Sequence, residues 1–152
     1  MSLSFTRLGY HDVKAGQLEA IRGFVKDRDV LVSLPTGSGK SVCYGCLPLV
    51  FNYLRRNDSR TKSIVIVISP LRALMLDQVR SFSSKGVDSV YVSHSDAGDI
   101  YEAVTKGSIS SIFMSPESLI GCCKWREMFR SSVYKKNLVG LIVDEAHCID
   151  KW

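Results

Sequence analysis

The 152 residues predict an α/β fold in which helices cover both faces of a parallel sheet. Three observations carry that expectation. Short β-branched runs alternate along the chain with stretches of helical spacing. One run, SIVIVIS at Ser63–Ser69, is apolar throughout its interior, as a strand covered on both faces must be. The residues able to do chemistry sit just after such runs, at the carboxyl ends where open parallel sheets hold their ligands.

Taken in order, DVLVSL (Asp29–Leu34) predicts a strand, and Ser38 to about Arg56 predicts one helix. SIVIVIS is the second strand. In RALMLDQVRSFSSKG the residues Leu71, Leu74, Met75 and Val79 share one side of a helix, with Gly86 as its stop. VDSVYVS, SSIFMS and LVGLIV supply three further strands, with helices near Ile100–Lys106 and Pro116–Arg130 between them. No repeat, linker or low-complexity tract divides the chain, so residues 1–152 read as one domain.

Composition sets the outer bounds. An apolar fraction of 45% with 23% charged residues is that of an ordinary globular protein. A net charge of +5 permits nucleic-acid binding without demanding it. Five cysteines are an odd number and do not form a secreted disulfide framework. The opening MSLSFTRLGYH lacks the apolar core of a signal peptide, and Val42–Leu54 is too short and interrupted to cross a bilayer. The expectation is an intracellular protein with no membrane association, nuclear if the source is eukaryotic.

LPTGSGKS (Leu34–Ser41) follows a strand run and opens a helical one. Small residues let a backbone wrap an anion, and N–H groups at a helix start point at it. Thr36, Gly37, Ser38, Gly39, Lys40 and Ser41 are therefore expected to cradle the phosphates of a nucleotide. Lys40 would set its ammonium on the β- and γ-phosphates, and Ser41 would offer a hydroxyl to Mg²⁺. The strict pattern begins with glycine, and Leu34 stands at that position.

LIVDEAHCIDKW closes the chain. On an ideal strand the adjacent Asp144 and Glu145 would point to opposite faces, but just past a strand end both can serve one site. Asp144 is expected to hold the hydrated Mg²⁺, Glu145 to orient and deprotonate the attacking water, and His147 to couple by hydrogen bonding. Cys43 and Cys46 fall inside a predicted helix and read as packing residues rather than metal ligands.

With these segments in view, the chain resembles the RecQ family of superfamily 2 helicases over its whole length. LGYHDVKAGQLEAI resembles the family's adenine-recognition motif: Tyr10 would stack on the base, and Lys14 and Gln17 would hydrogen-bond or flank it. Lys14 stands where the family usually has arginine. LPTGSGKS matches motif I, SPLRALMLDQV is close to motif Ia, MSPESL resembles the Ser-Pro-Glu motif, and DEAHCIDKW matches motif II of the DEAH type. Asp150 and Lys151 depart from the usual continuation.

The resemblance implies a RecA-like P-loop domain, a three-layer parallel sheet truncated at its C-terminus. It also implies an ATP- and Mg²⁺-dependent enzyme moving 3′ to 5′ on single-stranded or forked DNA. Ser69, Arg72, Ser115 and Pro116 would lie on the strand-binding face. In the family an aromatic-rich loop follows motif II, and Trp152 would be its first aromatic. The next family strand lies between those carrying motifs I and II. Its absence would leave a gap in the sheet, or edges forced together or unpaired. A second domain supplies an arginine worth about 10³–10⁵ in rate, roughly 4–7 kcal/mol. The expected chain is thus a partial ATP-binding domain that does not unwind DNA alone; the alternative is a nucleotide- or DNA-binding module, or gene fragment, without turnover.

Overall fold

The computed structural model describes residues 13–35, 37–55 and 62–151, apart from the side chains of the last two. Tyr10, Thr36 and Trp152 lie outside the described residues. Strands β1 (Ile64–Ile68), β2 (Ser89–Val92), β3 (Ser111–Met114) and β4 (Leu138–Val143) form one parallel sheet in the order β2-β3-β1-β4. The helices are α1 (Ala15–Val25), α2 (Lys40–Gly45), α3 (Leu47–Leu54), α4 (Arg72–Ser84), α5 (Asp99–Thr105), α6 (Pro116–Gly121), α7 (Cys123–Met128) and α8 (Ser132–Asn137). A 3₁₀ turn spans Ala146–Lys151.

The three layers follow from the period of two along the central strands. Every residue of β1 is β-branched and buried. Val65 and Val67, with Phe113 of β3, pack against Ile21 of α1, Tyr44 of α2, Leu47 and Val50 of α3, and Met75 and Phe82 of α4. Ile64, Ile66 and Ile68, with Ile112 and Met114, pack on the other face against Val104 of α5, Trp125 and Met128 of α7, and Tyr134 of α8. Full burial of one such aliphatic side chain contributes about 1.5–3 kcal/mol. Two buried aromatics of this face satisfy their polar tips: Trp125 Nε1 donates to the Ser93 carbonyl at 3.1 Å, and the Tyr134 hydroxyl donates to the Val104 carbonyl at 2.8 Å.

Three sequence expectations need correction. Residues 29–34 carry no ladder and are not a strand. Their β-branched pattern has no neighbour to pair with among the described residues, and Leu31 is 89% exposed. The helix expected from Ser38 is two helices: Cys46 interrupts it, and Pro48, near the start of α3, has no N–H for a continuous ladder. The stretch Pro116–Arg130 likewise divides into α6 and α7, because Cys122 turns extended (φ −111°, ψ 110°) and buries its side chain in the second cluster. Helices α1 and α8 were not anticipated.

β4 is left as a sheet edge, with Leu141 52% and Val143 38% exposed. Between it and residues 29–34 lies a cleft of about 610 Å³. Of the expected outcomes the described residues show an unpaired edge: β4 ends a continuous four-stranded sheet, and no two edges are forced together.

Candidate functional site

Gly37 (φ 77°) and Gly39 (φ 84°) take the left-handed path that lets the loop turn into α2. A Cβ on Gly39 would come within 2.8 Å of Gln17 Nε2, so the close approach also requires glycine. Lys40 opens α2, and its ammonium donates to the Leu34 carbonyl at 3.0 Å across the mouth of the loop. Ser41 follows in the same first turn. Among the described residues the Ser38 hydroxyl oxygen, which is buried, finds no hydrogen-bond partner, the kind of orphan an anionic oxygen would satisfy.

Gln17 is buried and braces this loop rather than facing open space. Its Nε2 donates to the carbonyls of Ser38 (2.9 Å) and Gly39 (3.0 Å), and its Oε1 accepts the Lys14 N–H at 3.0 Å. Both ends of its amide are engaged within the chain. Lys14, at the N-cap of α1, is exposed.

The acidic pair stands just past β4. Asp144 N–H donates to the Ile68 carbonyl at 2.8 Å, extending the pairing with β1 by one residue. Glu145 then takes a positive φ of 54°, a left-handed turn that is costly outside glycine. That turn breaks the strand's alternation and puts both carboxylates on the cleft with Lys40. One Asp144 oxygen accepts the Glu145 N–H at 3.2 Å, and the other accepts the Tyr44 hydroxyl at 3.3 Å. Glu145 Oε2 lies 3.3 Å from Nδ1 of the exposed His147.

Burial, and then the neighbouring charge of Glu145, push the Asp144 carboxyl above its ordinary range; the Glu145 N–H, the Tyr44 hydroxyl and Lys40 only partly offset them. A divalent cation would relieve that repulsion. The oxygen donors of Ser41 and Asp144 are of the kind Mg²⁺ takes, alongside retained waters and phosphate. The residues present therefore fit a Mg²⁺-nucleotide.

Ser69, Arg72, Ser115 and Pro116 gather at the carboxyl ends of the paired strands β1 and β3, where Ser69 N–H donates to the Met114 carbonyl at 3.1 Å. Their exposure is unequal. The Ser69 hydroxyl is buried and has no partner among the described residues, Pro116 is buried, and Ser115 caps α6 by accepting the Ser118 N–H at 3.2 Å. Arg72 is exposed, its guanidinium 5.6 Å from the centre of the Tyr91 ring. Sequence reasoning missed Tyr44. The available signal was its spacing of four from Lys40, which puts both on one face of α2.

Among the described residues no helix is long and apolar enough to cross a membrane. A model of the DEAD/DEAH box helicase family matches residues 14–152. The RecQ-like DNA helicase BLM of Xenopus laevis is 29% identical, the alignment covering 100% of this chain and 11% of that protein. The ATP-dependent DNA helicase Q-like 5 of Arabidopsis thaliana is 32% identical over 95% of this chain and 15% of its own length. The ATP-dependent DNA helicase RecQ of Haemophilus influenzae is 30% identical over 95% of this chain and 22% of its own. The chain thus spans less than a quarter of each of these relatives. On the matched model and these relatives together, the chain belongs to the DEAD/DEAH box helicase family and is RecQ-like within it.

Proposed function

We propose that this chain is the ATP-binding part of a RecQ-like DNA helicase that moves 3′ to 5′ on single-stranded or forked DNA. One observation carries the reading: Lys40, Asp144 and Glu145 line a single cleft beside a loop that Gly37 and Gly39 turn into α2. Lys40 exchanges its bond to the Leu34 carbonyl for the nucleotide's phosphates. Gln17 and Lys14 keep the loop in register, and Tyr10 contributes to the adenine side. Ser41 and Asp144 hold Mg²⁺, which when bound offsets phosphate charge. Glu145 orients a water and takes its proton, with His147 hydrogen-bonded to the same carboxylate. Arg72, with Ser69, Ser115 and Pro116, contacts the strand's phosphates without reading bases.

A module that binds nucleotide without turnover is the second reading. It is favoured by residues 29–34, which lead into the loop without a sheet partner and so fix its phosphates less firmly than a laddered strand would.

The nucleic-acid part is tested by fluorescence anisotropy with a labelled single-stranded oligonucleotide. Arg72→Ala should weaken binding about three- to tenfold, the loss of one ordinary hydrogen bond from an exposed side chain. Equal affinity in the two chains would remove this face from the proposal.

A further inference from the structure

We propose that Tyr44 is a positioning residue: its hydroxyl fixes the Asp144 carboxylate in the orientation that receives the cation accompanying the nucleotide. This rests on the nucleotide-binding reading above and names a residue outside the loop and the acidic motif.

Asp144 is held at three points, two of them on its carboxylate. Its backbone N–H is on the Ile68 carbonyl at 2.8 Å, one side-chain oxygen is on the Glu145 N–H at 3.2 Å, and the other is on the Tyr44 hydroxyl at 3.3 Å. An ionised carboxylate has about four lone-pair sites, so with one bond on each oxygen both keep acceptor capacity toward the cleft. What the two bonds remove is rotation. Without the phenol, the outer oxygen has a single tether behind it and turns about its Cβ–Cγ bond.

Tyr44 is built to be rigid. It is 6% exposed, and its ring meets that of Phe82 edge to face, centroids 6.0 Å apart at 68°. Phe82 is 1% exposed and packs in turn on Phe113 at 5.8 Å. The phenol therefore projects from a fixed base at the centre of the first cluster, and α2 carries it one turn after Lys40 on the same face. One short helix thus addresses both charges of the site, a cation for phosphate and a donor for the metal-holding carboxylate. Preorganised donors of this kind act without having to order themselves on binding.

A plainer role exists for the same bond: a buried tyrosine needs a partner for its hydroxyl, and Asp144 is within reach. The two roles separate on Mg²⁺. A purely structural bond would alter melting and leave the metal dependence of nucleotide binding untouched.

The test uses the whole chain and a fluorescent ATP analogue, titrated across a Mg²⁺ series and in EDTA, with Tyr44→Phe, Asp144→Ala and the double variant. Tyr44→Phe keeps the ring and its packing. The half-saturating Mg²⁺ concentration should rise about three- to tenfold, the weight of one ordinary hydrogen bond, as its 3.3 Å length warrants. In the Asp144→Ala background, Tyr44→Phe should add no further change. A Mg²⁺ dependence within twofold of wild type, or an effect of the phenol that persists without Asp144, overturns the proposal. If the unaltered, folded chain shows no Mg²⁺-dependent binding of the analogue, the nucleotide reading itself fails, and this inference with it.

Discussion

Gln17→Glu exchanges an amide for a carboxylate of the same shape and tests whether Gln17 holds the loop. The native Nε2 donates to two carbonyls, Ser38 at 2.9 Å and Gly39 at 3.0 Å. In the variant an oxygen faces two oxygens with no proton between them. Losing two hydrogen bonds of about 1 kcal/mol each gives about 2 kcal/mol before any repulsion is counted. Retreat is blocked, because the site is buried and the loop passes so close that a Cβ on Gly39 would sit 2.8 Å from Nε2. In a chain of this size 2 kcal/mol lowers Tm by about 4–8 °C.

The deficit should depend on pH. Burial and the facing carbonyls raise the folded-state pKa of the introduced carboxyl above its unfolded value, so the native state binds more protons between the two values. Stability then falls as pH rises through that interval, and the variant should approach wild type near the unfolded value of about 4.3. Thermal melts across this range read it directly, and ATP affinity should fall in parallel at neutral pH. A variant that melts within about 1 °C of wild type at pH 7 and binds ATP equally well would refute the brace.

Two more substitutions test the fold and the acidic pair. Gly45→Ala would stabilise most helices by up to about 1 kcal/mol, but here a Cβ would fall 2.5 Å from the Phe82 ring, whose packing between Tyr44 and Phe113 leaves it no escape. Overpacking costs about 1–3 kcal/mol, so urea melts should show net destabilisation, and a raised midpoint would show that the ring yields. Asp144→Asn removes a charge that burial and Glu145 disfavour, while its amide oxygen can still accept the Glu145 N–H and its amide N–H can donate to the Tyr44 hydroxyl oxygen. Because Asp144 is raised in the folded state, its ionised form costs stability at and above that raised value. The variant should melt higher than wild type at pH 7, with the advantage shrinking as pH falls through the raised value; a lower Tm at pH 7 would contradict this.

The interior of the sheet was legible because its strands are locally unambiguous. An unbroken β-branched run such as Ile64–Ile68 can be buried on both faces in few other ways. Residues 29–34 carry a similar pattern and form no strand, since a strand exists only with a neighbour and pairing is not a local property. The helix breaks at Cys46 and Cys122 were hidden for different reasons. Pro48 was a visible warning at the first, whereas the extended turn of Cys122 answers to the core it enters.

At the site, the types and spacing of Gly37, Gly39, Lys40, Asp144 and Glu145 were the local pattern on which the phosphate proposal rests. What Gln17 touches, and what touches Asp144, depended on contacts 22 and 100 residues apart in sequence, which no local pattern encodes. The left-handed turn at Glu145 that aligns the two carboxylates was equally invisible, because it occurs at a residue type that rarely adopts it.

The most direct measurement is calorimetric titration of the purified chain with Mg²⁺-ATP, beside Lys40→Ala. Saturable binding that weakens at least about tenfold in the variant, the loss of a charged hydrogen-bond donor, is the predicted result. Equal binding by the two chains, or no binding by a wild-type chain that is folded by circular dichroism, would contradict the assignment of this loop as a nucleotide cradle.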